Sequence, residues 1–254
     1  MHQTIANATF QIRCEGSLGS GFSFMHNDII VTNFHVVKNI IDFSTGRCVS
    51  YPIVVGEDGF EIKSKILAVD EENDIAILLI NTTLPEGRVV LEPSGNFEIS
   101  RGKRVIFSGF PHGLDDLLTS EAIISAPLDA NKFYLDGMVN KGNSGGPIVD
   151  IDSGRVIGIV TKRRYHYEEE AIELQKSAGE ILQIINSYPE NVREISRNID
   201  IGQFYKLMSR SLVLFTDMLF LNANSGIGIG FPISPAIELI EKHYRQSSGF
   251  NMRY

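Results

Sequence analysis

Short apolar runs, each punctuated by a turn residue at intervals of roughly eight to twelve positions, pattern most of this chain. Apolar and polar positions alternate clearly in Thr9–Cys14, Gly21–Met25, Ile29–Thr32, Ile53–Val55 and Lys63–Val69, which are read as a first set of strands. A second set is expected from Arg104 to Thr161. Pro85, Gly87, Pro93 and Gly95 mark residues 85–100 as the link between the two sets. The pattern alone predicts an all-β protein of many short strands. Residues 163–224 change the period. Between Glu168 and Ile185, Ala171, Leu174, Ala178, Ile181, Leu182 and Ile185 recur at helical spacing, and Pro189 ends the run. Asp200 reads as the N-cap of a second helix, with Ile201, Phe204, Tyr205, Met208, Leu212, Phe215 and Leu219 on one face.

Composition narrows the class. At 254 residues and 43% hydrophobic, the chain has ample core for one large domain or two small ones. A net charge of −8 argues against nucleic acid or an anionic membrane as the main partner. No stretch approaches the ~20 apolar residues of a membrane helix. Met1-His2-Gln3-Thr4 lacks a basic region followed by an apolar one, so no signal peptide is expected. Cys14 and Cys48 are read as two buried thiols in a reducing compartment, which makes the cytoplasm the expected location. His26, His166 and His243 lack ligand spacing, so neither metal nor cofactor is expected. His112 reads as a loop residue.

Three segments carry chemistry. Gly142-Asn143-Ser144-Gly145-Gly146-Pro147 places a serine on a glycine-built turn, where backbone N–H groups approach a substrate carbonyl. Serine is a poor nucleophile without a base. Val31-Thr32-Asn33-Phe34-His35-Val36-Val37 supplies one, a histidine at a strand end where the chain turns. In Asp70-Glu71-Glu72-Asn73-Asp74-Ile75-Ala76-Ile77-Leu78, Asp74 is the last polar residue before an apolar strand, placed to orient an imidazole. Asp70 is the alternative carboxylate. The order His35, Asp74, Ser144 is that of the chymotrypsin arrangement.

These segments resemble the HtrA/Deg branch of the trypsin-like (chymotrypsin-fold) serine proteases. Residues 32–37 match its Thr-Asn-x-His-Val-Val, Asp74 to Leu78 its Asp-Ile-Ala strand, and residues 142–146 its Gly-Asn-Ser-Gly-Gly. Gly102 to Leu114 and Thr119 to Ala126 resemble further stretches of the branch. The resemblance implies two six-stranded antiparallel β-barrels with a helical insertion and a C-terminal helix. Residues 1–84 would form the first barrel, 101–162 with 225–254 the second, and 163–224 the insertion. It implies an oxyanion hole at Gly142, Asn143 and Ser144, with the amides of Gly142 and Ser144 as donors. It also implies a substrate pocket including Met138, Val139 and Thr161. No aspartate stands at the base of that pocket, so cleavage after Val, Leu, Ile or Ala is expected. The expected partner is a protein or peptide substrate. The insert is read as a hairpin packed on the barrel, as a lid, or as a docking face for a regulatory protein or second subunit. A protease-fold scaffold with a latent site is the alternative function.

Overall fold

The computed structural model describes residues 1–45, 47–95, 99–111, 114–129, 132–163, 168–187, 195–196, 199–222 and 226–249. His112, His166 and Pro189 lie outside the described residues. The chain divides into two units, Met1–Arg163 with Gly226–Tyr254, and Arg164–Ser225.

The first unit opens with helix α1 (His2–Ala8) and continues into strands β1 (Thr9–Cys14), β2 (Ser17–Ser23) and β3 (Ile29–Thr32). A short helix α2 (Phe34–Val37), a 3-10 turn (Lys38–Ile40) and the small ladder β4 (Ile41–Asp42) and β5 (Arg47–Cys48) follow. Strands β6 (Ile53–Val55), β7 (Glu61–Asp70) and β8 (Ile75–Ile80) complete a closed barrel in the order β1-β2-β3-β8-β7-β6. The second barrel is built from β9 (Arg104–Gly109), β10 (Leu118–Asp129), β11 (Lys132–Asp136), β12 (Pro147–Asp150), β13 (Val156–Arg163) and β16 (Ile227–Pro232). It closes in the order β10-β11-β16-β13-β12-β9, and every pairing in both barrels is antiparallel. Helix α5 (Ser234–Gly249) ends the fold.

Three apolar clusters explain why several strands read as unbroken hydrophobic runs. In β8, Ala76, Leu78 and Ile80 fill the first barrel with Phe10, Ile12 and Val54, while Ile75 and Ile77 face the seam between barrels. A strand buried on both faces carries apolar residues at every position. From the other side the seam receives Ile106, Val149, Val156, Ile159 and Phe231, and α5 adds Ala236 and Ile240. Phe107, Phe133, Leu135, Ile148 and Val160 fill the second barrel.

The second unit contains α3 (Glu168–Ser187), a two-strand ladder of β14 (Ile195–Ser196) and β15 (Ile199–Asp200), and α4 (Ile201–Asn222). Its described side chains divide in an unusual way. The small residues Ala178, Ser209 and Thr216 are buried, whereas Phe204, Leu207, Met208, Leu214, Phe215 and Met218 are exposed. Those six fall at three- and four-residue spacing along one face of α4.

Cys48 is exposed, not buried as expected, because it lies in the short ladder outside the barrel core. Cys14, at the end of β1, is partly buried, and burial pushes its thiol up to about 12.

Candidate active site

His35 sits in α2, immediately after β3, not at the end of the strand itself. Asn33, in an extended conformation at the N-cap, ends the strand and starts the turn of helix. Asp74 closes the tight turn before β8 with a left-handed φ of 52°, a conformation in which aspartate is among the commoner non-glycine residues. Consecutive donors of the α2 entrance hold it there. Asn33 Nδ2 and the Phe34 N–H donate to the Asp74 main-chain oxygen at 2.7 and 3.1 Å. The His35 N–H donates to Asp74 Oδ1 at 2.9 Å, and His35 Nδ1 lies 2.7 Å from Asp74 Oδ2. The Thr161 hydroxyl, from β13, donates to the same Oδ2 at 2.5 Å.

Two opposing influences act on the Asp74 carboxyl. Burial pushes it upward, but the His35 ring, the Thr161 hydroxyl and the His35 N–H together outweigh burial and hold it below its ordinary value. Asp74 is therefore a carboxylate at neutral pH, and His35 Nδ1 is the side that carries a proton to it. That leaves Nε2 as the basic nitrogen. Asp70 instead accepts from the N–H and side-chain amide of Asn73 at 3.0 and 2.8 Å and shapes the turn.

Ser144 lies on the loop before β12. Gly142 and Gly145 adopt φ of 101° and 90°, and a Cβ on Gly145 would strike the Ser20 carbonyl, so only glycine fits that position. The Asn143 carbonyl accepts from the Gly146 N–H at 2.9 Å. The N–H groups of Gly142 and Ser144 donate in none of the described backbone hydrogen bonds. The N–H of Asn143 is instead committed to the Asn140 carbonyl at 3.0 Å. The Ser144 hydroxyl donates to the Thr161 carbonyl at 2.6 Å. Thr161 thus touches both the carboxylate, through its hydroxyl, and the serine, through its main chain.

The other pocket residues separate. Met138 is 61% exposed, whereas Val139 is 1% exposed and packs in the second barrel's core against Gly228. Thr161 is buried. His26 and His243 flank Tyr244, with ring centroids 4.1 and 5.4 Å away, and belong to the packing of α5. The roles of Asn33 and of the Thr161 hydroxyl carry no local sequence signal, because both depend on contacts between distant segments.

Two closed antiparallel six-stranded barrels define the chymotrypsin-like class of fold, and Thr161 bonds both to Ser144 and to Asp74, the carboxylate that holds His35. The chain belongs to the trypsin-like peptidase domain family, whose sequence model matches residues 19–159. Within it the chain is HtrA-like. It is 39% identical over 152 residues to the "Probable periplasmic serine endoprotease DegP-like" of Brucella suis, covering 56% of this chain and 27% of that protein. It is 31% identical over 163 residues to "Serine protease HTRA1" of Xenopus laevis, covering 60% of this chain and 33% of that one. The crystal structure of the serine endoprotease from Yersinia pestis superposes with a TM-score of 0.53 at 27% identity, over 64% of this chain and 57% of that chain. The chain spans only 27% to 33% of the length of these curated relatives. The expected cytoplasmic location is corrected by these findings, since several of the similar proteins are named as periplasmic. Two unpaired cysteines and the character of the first residues do not determine a compartment.

Proposed function

We propose that this protein is a serine endopeptidase that cleaves through an acyl-enzyme. Ser144 is the nucleophile, His35 the general base and then acid, and Asp74 the carboxylate that fixes the imidazole tautomer and stabilises its protonated form. The N–H groups of Gly142 and Ser144 receive the oxyanion. Asn143 shapes the hole without donating its own N–H to it, since that group is bonded to Asn140. The single observation that carries the reading is Asp74, which holds His35 by ring and main chain while sharing Thr161 with Ser144. The names of the similar proteins support the same activity. They also support a periplasmic setting.

The absence of an aspartate at the pocket base supports cleavage after Val, Leu, Ile or Ala. Met138 and Thr161 remain the pocket residues of this proposal, with Val139 backing them from the core. The exposed stripe of α4 supports a role for the insert in binding a regulatory protein or a second copy.

A second reading, a scaffold with a latent site, is favoured by one observation. The Ser144 hydroxyl rests on the Thr161 carbonyl, and the described hydrogen bonds include none between it and His35. Labelling with a fluorophosphonate probe separates the two. The enzyme labels in the wild type and fails to label in Ser144→Ala and His35→Ala, a contrast of several orders of magnitude in rate. A wild type that stays unlabelled supports the scaffold. Peptide-library profiling then reads specificity, and strict cleavage after Arg or Lys sinks the apolar preference.

A further inference from the structure

Ser20 lies in β2 of the first barrel, fully buried, yet three of its bonds run to segments of the second barrel. Its hydroxyl donates to the Gly142 carbonyl at 2.6 Å and accepts from the Phe110 N–H at 3.0 Å. Its N–H donates to the Ser144 carbonyl at 2.7 Å, and its own carbonyl accepts from the Thr32 hydroxyl at 2.6 Å. Each of its polar groups is thereby engaged, two of them on the nucleophile loop.

The consequence emerges peptide by peptide. The Gly142–Asn143 peptide is held at both ends, its carbonyl by the Ser20 hydroxyl and its N–H by Asn140. Likewise the Ser144–Gly145 peptide is held by the Ser20 N–H and by Val160, whose carbonyl accepts from Gly145 at 2.8 Å. Between these two clamps lies the peptide whose N–H, that of Ser144, is aimed at the oxyanion. Gly142, at φ 101°, has no side chain to restrain it, so a flip of the Gly142–Asn143 peptide is opposed by the bonds to its carbonyl and its N–H, and the Ser20 hydroxyl supplies the first. The surroundings are close-packed: a Cβ on Gly109 would lie 2.7 Å from Ser20 Oγ and 2.9 Å from Asn143 Nδ2.

We propose that Ser20 is a positioning residue for the reaction, a hydroxyl contributed by one barrel that sets the oxyanion hole of the other. The assignment rests on the endopeptidase reading above. Ser20 touches neither substrate nor the reacting atoms; it acts through the Gly142–Asn143 peptide. Its loss weakens transition-state stabilisation and leaves ground-state binding unchanged.

The experiment compares wild type, Ser20→Ala, Ser20→Gly and Ser20→Thr on a peptide ester, with turnover expressed per fluorophosphonate-labelled site so that misfolded protein is not counted. Ser20→Ala is expected to lower kcat by roughly 10- to 100-fold, below the effect of deleting an oxyanion donor outright, with KM within about twofold. Affinity for a peptide boronic acid, whose tetrahedral adduct fills the hole, falls in parallel. Ser20→Thr, which keeps the hydroxyl, restores part of the loss. Should Ser20→Ala prove too unstable to purify, Ser20→Gly removes the same hydroxyl with no added bulk. A wild type that cleaves while Ser20→Ala or Ser20→Gly keeps full kcat per labelled site, whatever its melting temperature, overturns the assignment and leaves the peptidase reading standing. A wild type that neither labels nor cleaves removes both.

Discussion

Asp74 sits in the left-handed region with its main-chain oxygen and both carboxylate oxygens engaged by groups from Asn33, Phe34, His35 and Thr161. Its side chain is 18% exposed, so these bonds form away from bulk water and are little screened. Because its folded-state value is depressed, the stabilisation it provides is complete above its unfolded value of about 3.9 and is lost as pH falls through the lower folded value. Asp74→Asn is expected to cost about 1–3 kcal/mol at neutral pH and to lower kcat by about 10⁴-fold, as amides do at this place in triads. Denaturant titrations from pH 7 to pH 3 test the first part. The gap between wild type and variant should narrow below about pH 4, and a constant gap would show that ionised Asp74 is not the source. His35, Asp74 and Ser144 can be singled out in the sequence because each stands where an apolar run meets a turn or on a glycine-built loop. Ser20 and the Thr161 hydroxyl cannot, since their partners lie 122 and 87 positions away.

Among the elements, α5 shows how far resemblance reaches. The resemblance implies a closing helix over Pro235 to Tyr244, and the helix observed is Ser234–Gly249. What it does not reveal is the surface the helix covers. Following the second barrel in the chain, it packs into the seam with Phe22, Ile29, Ile75 and Ile77 of the first. Tyr244 then donates to Asp28 at 2.7 Å. Burial, the hydrogen bond and the Asp28 charge push the Tyr244 hydroxyl up to about 12, so it remains a donor at neutral pH. Ile240 is fully buried in the seam. Ile240→Ala is expected to cost about 2–5 kcal/mol, and Tyr244→Phe about 1 kcal/mol because Tyr244 is partly exposed. Chemical denaturation measures both, and an Ile240→Ala variant as stable as wild type would mean that α5 is not part of the cooperative core. Other elements were hidden for physical reasons. Helices α1 and α2 are too short to display a helical period. In β2, close packing selects Gly19, Ser20 and Gly21 in place of alternating apolar residues: a Cβ on Gly21 would lie 2.9 Å from Ile12, and one on Gly19 would crowd Val36 and the Ser144 carbonyl.

For the whole molecule, the informative geometry is where the helical unit joins the chain. It leaves at the end of β13 and returns at the start of β16, two neighbouring antiparallel strands in which Arg163 is paired with Gly228. Such a junction is that of a β-hairpin, which a short turn can close without moving either strand. Both barrels and the seam clusters are built wholly from the first unit. Replacing residues 164–225 with Asn-Gly is therefore expected to leave a β-type circular dichroism spectrum, one cooperative unfolding transition, and fluorophosphonate labelling at Ser144. The same deletion removes Phe204, Leu207, Met208, Leu214, Phe215 and Met218, side chains whose exposure is otherwise costly to maintain in water. If that stripe serves self-association, wild type sediments as an oligomer and the deletion as a monomer. A deletion that no longer folds cooperatively would mean that the insert belongs to the enzyme's core and cannot be a surface added to it. Retained labelling with altered choice among protein substrates would assign the chemistry to the barrels and the choice of substrate to the helices.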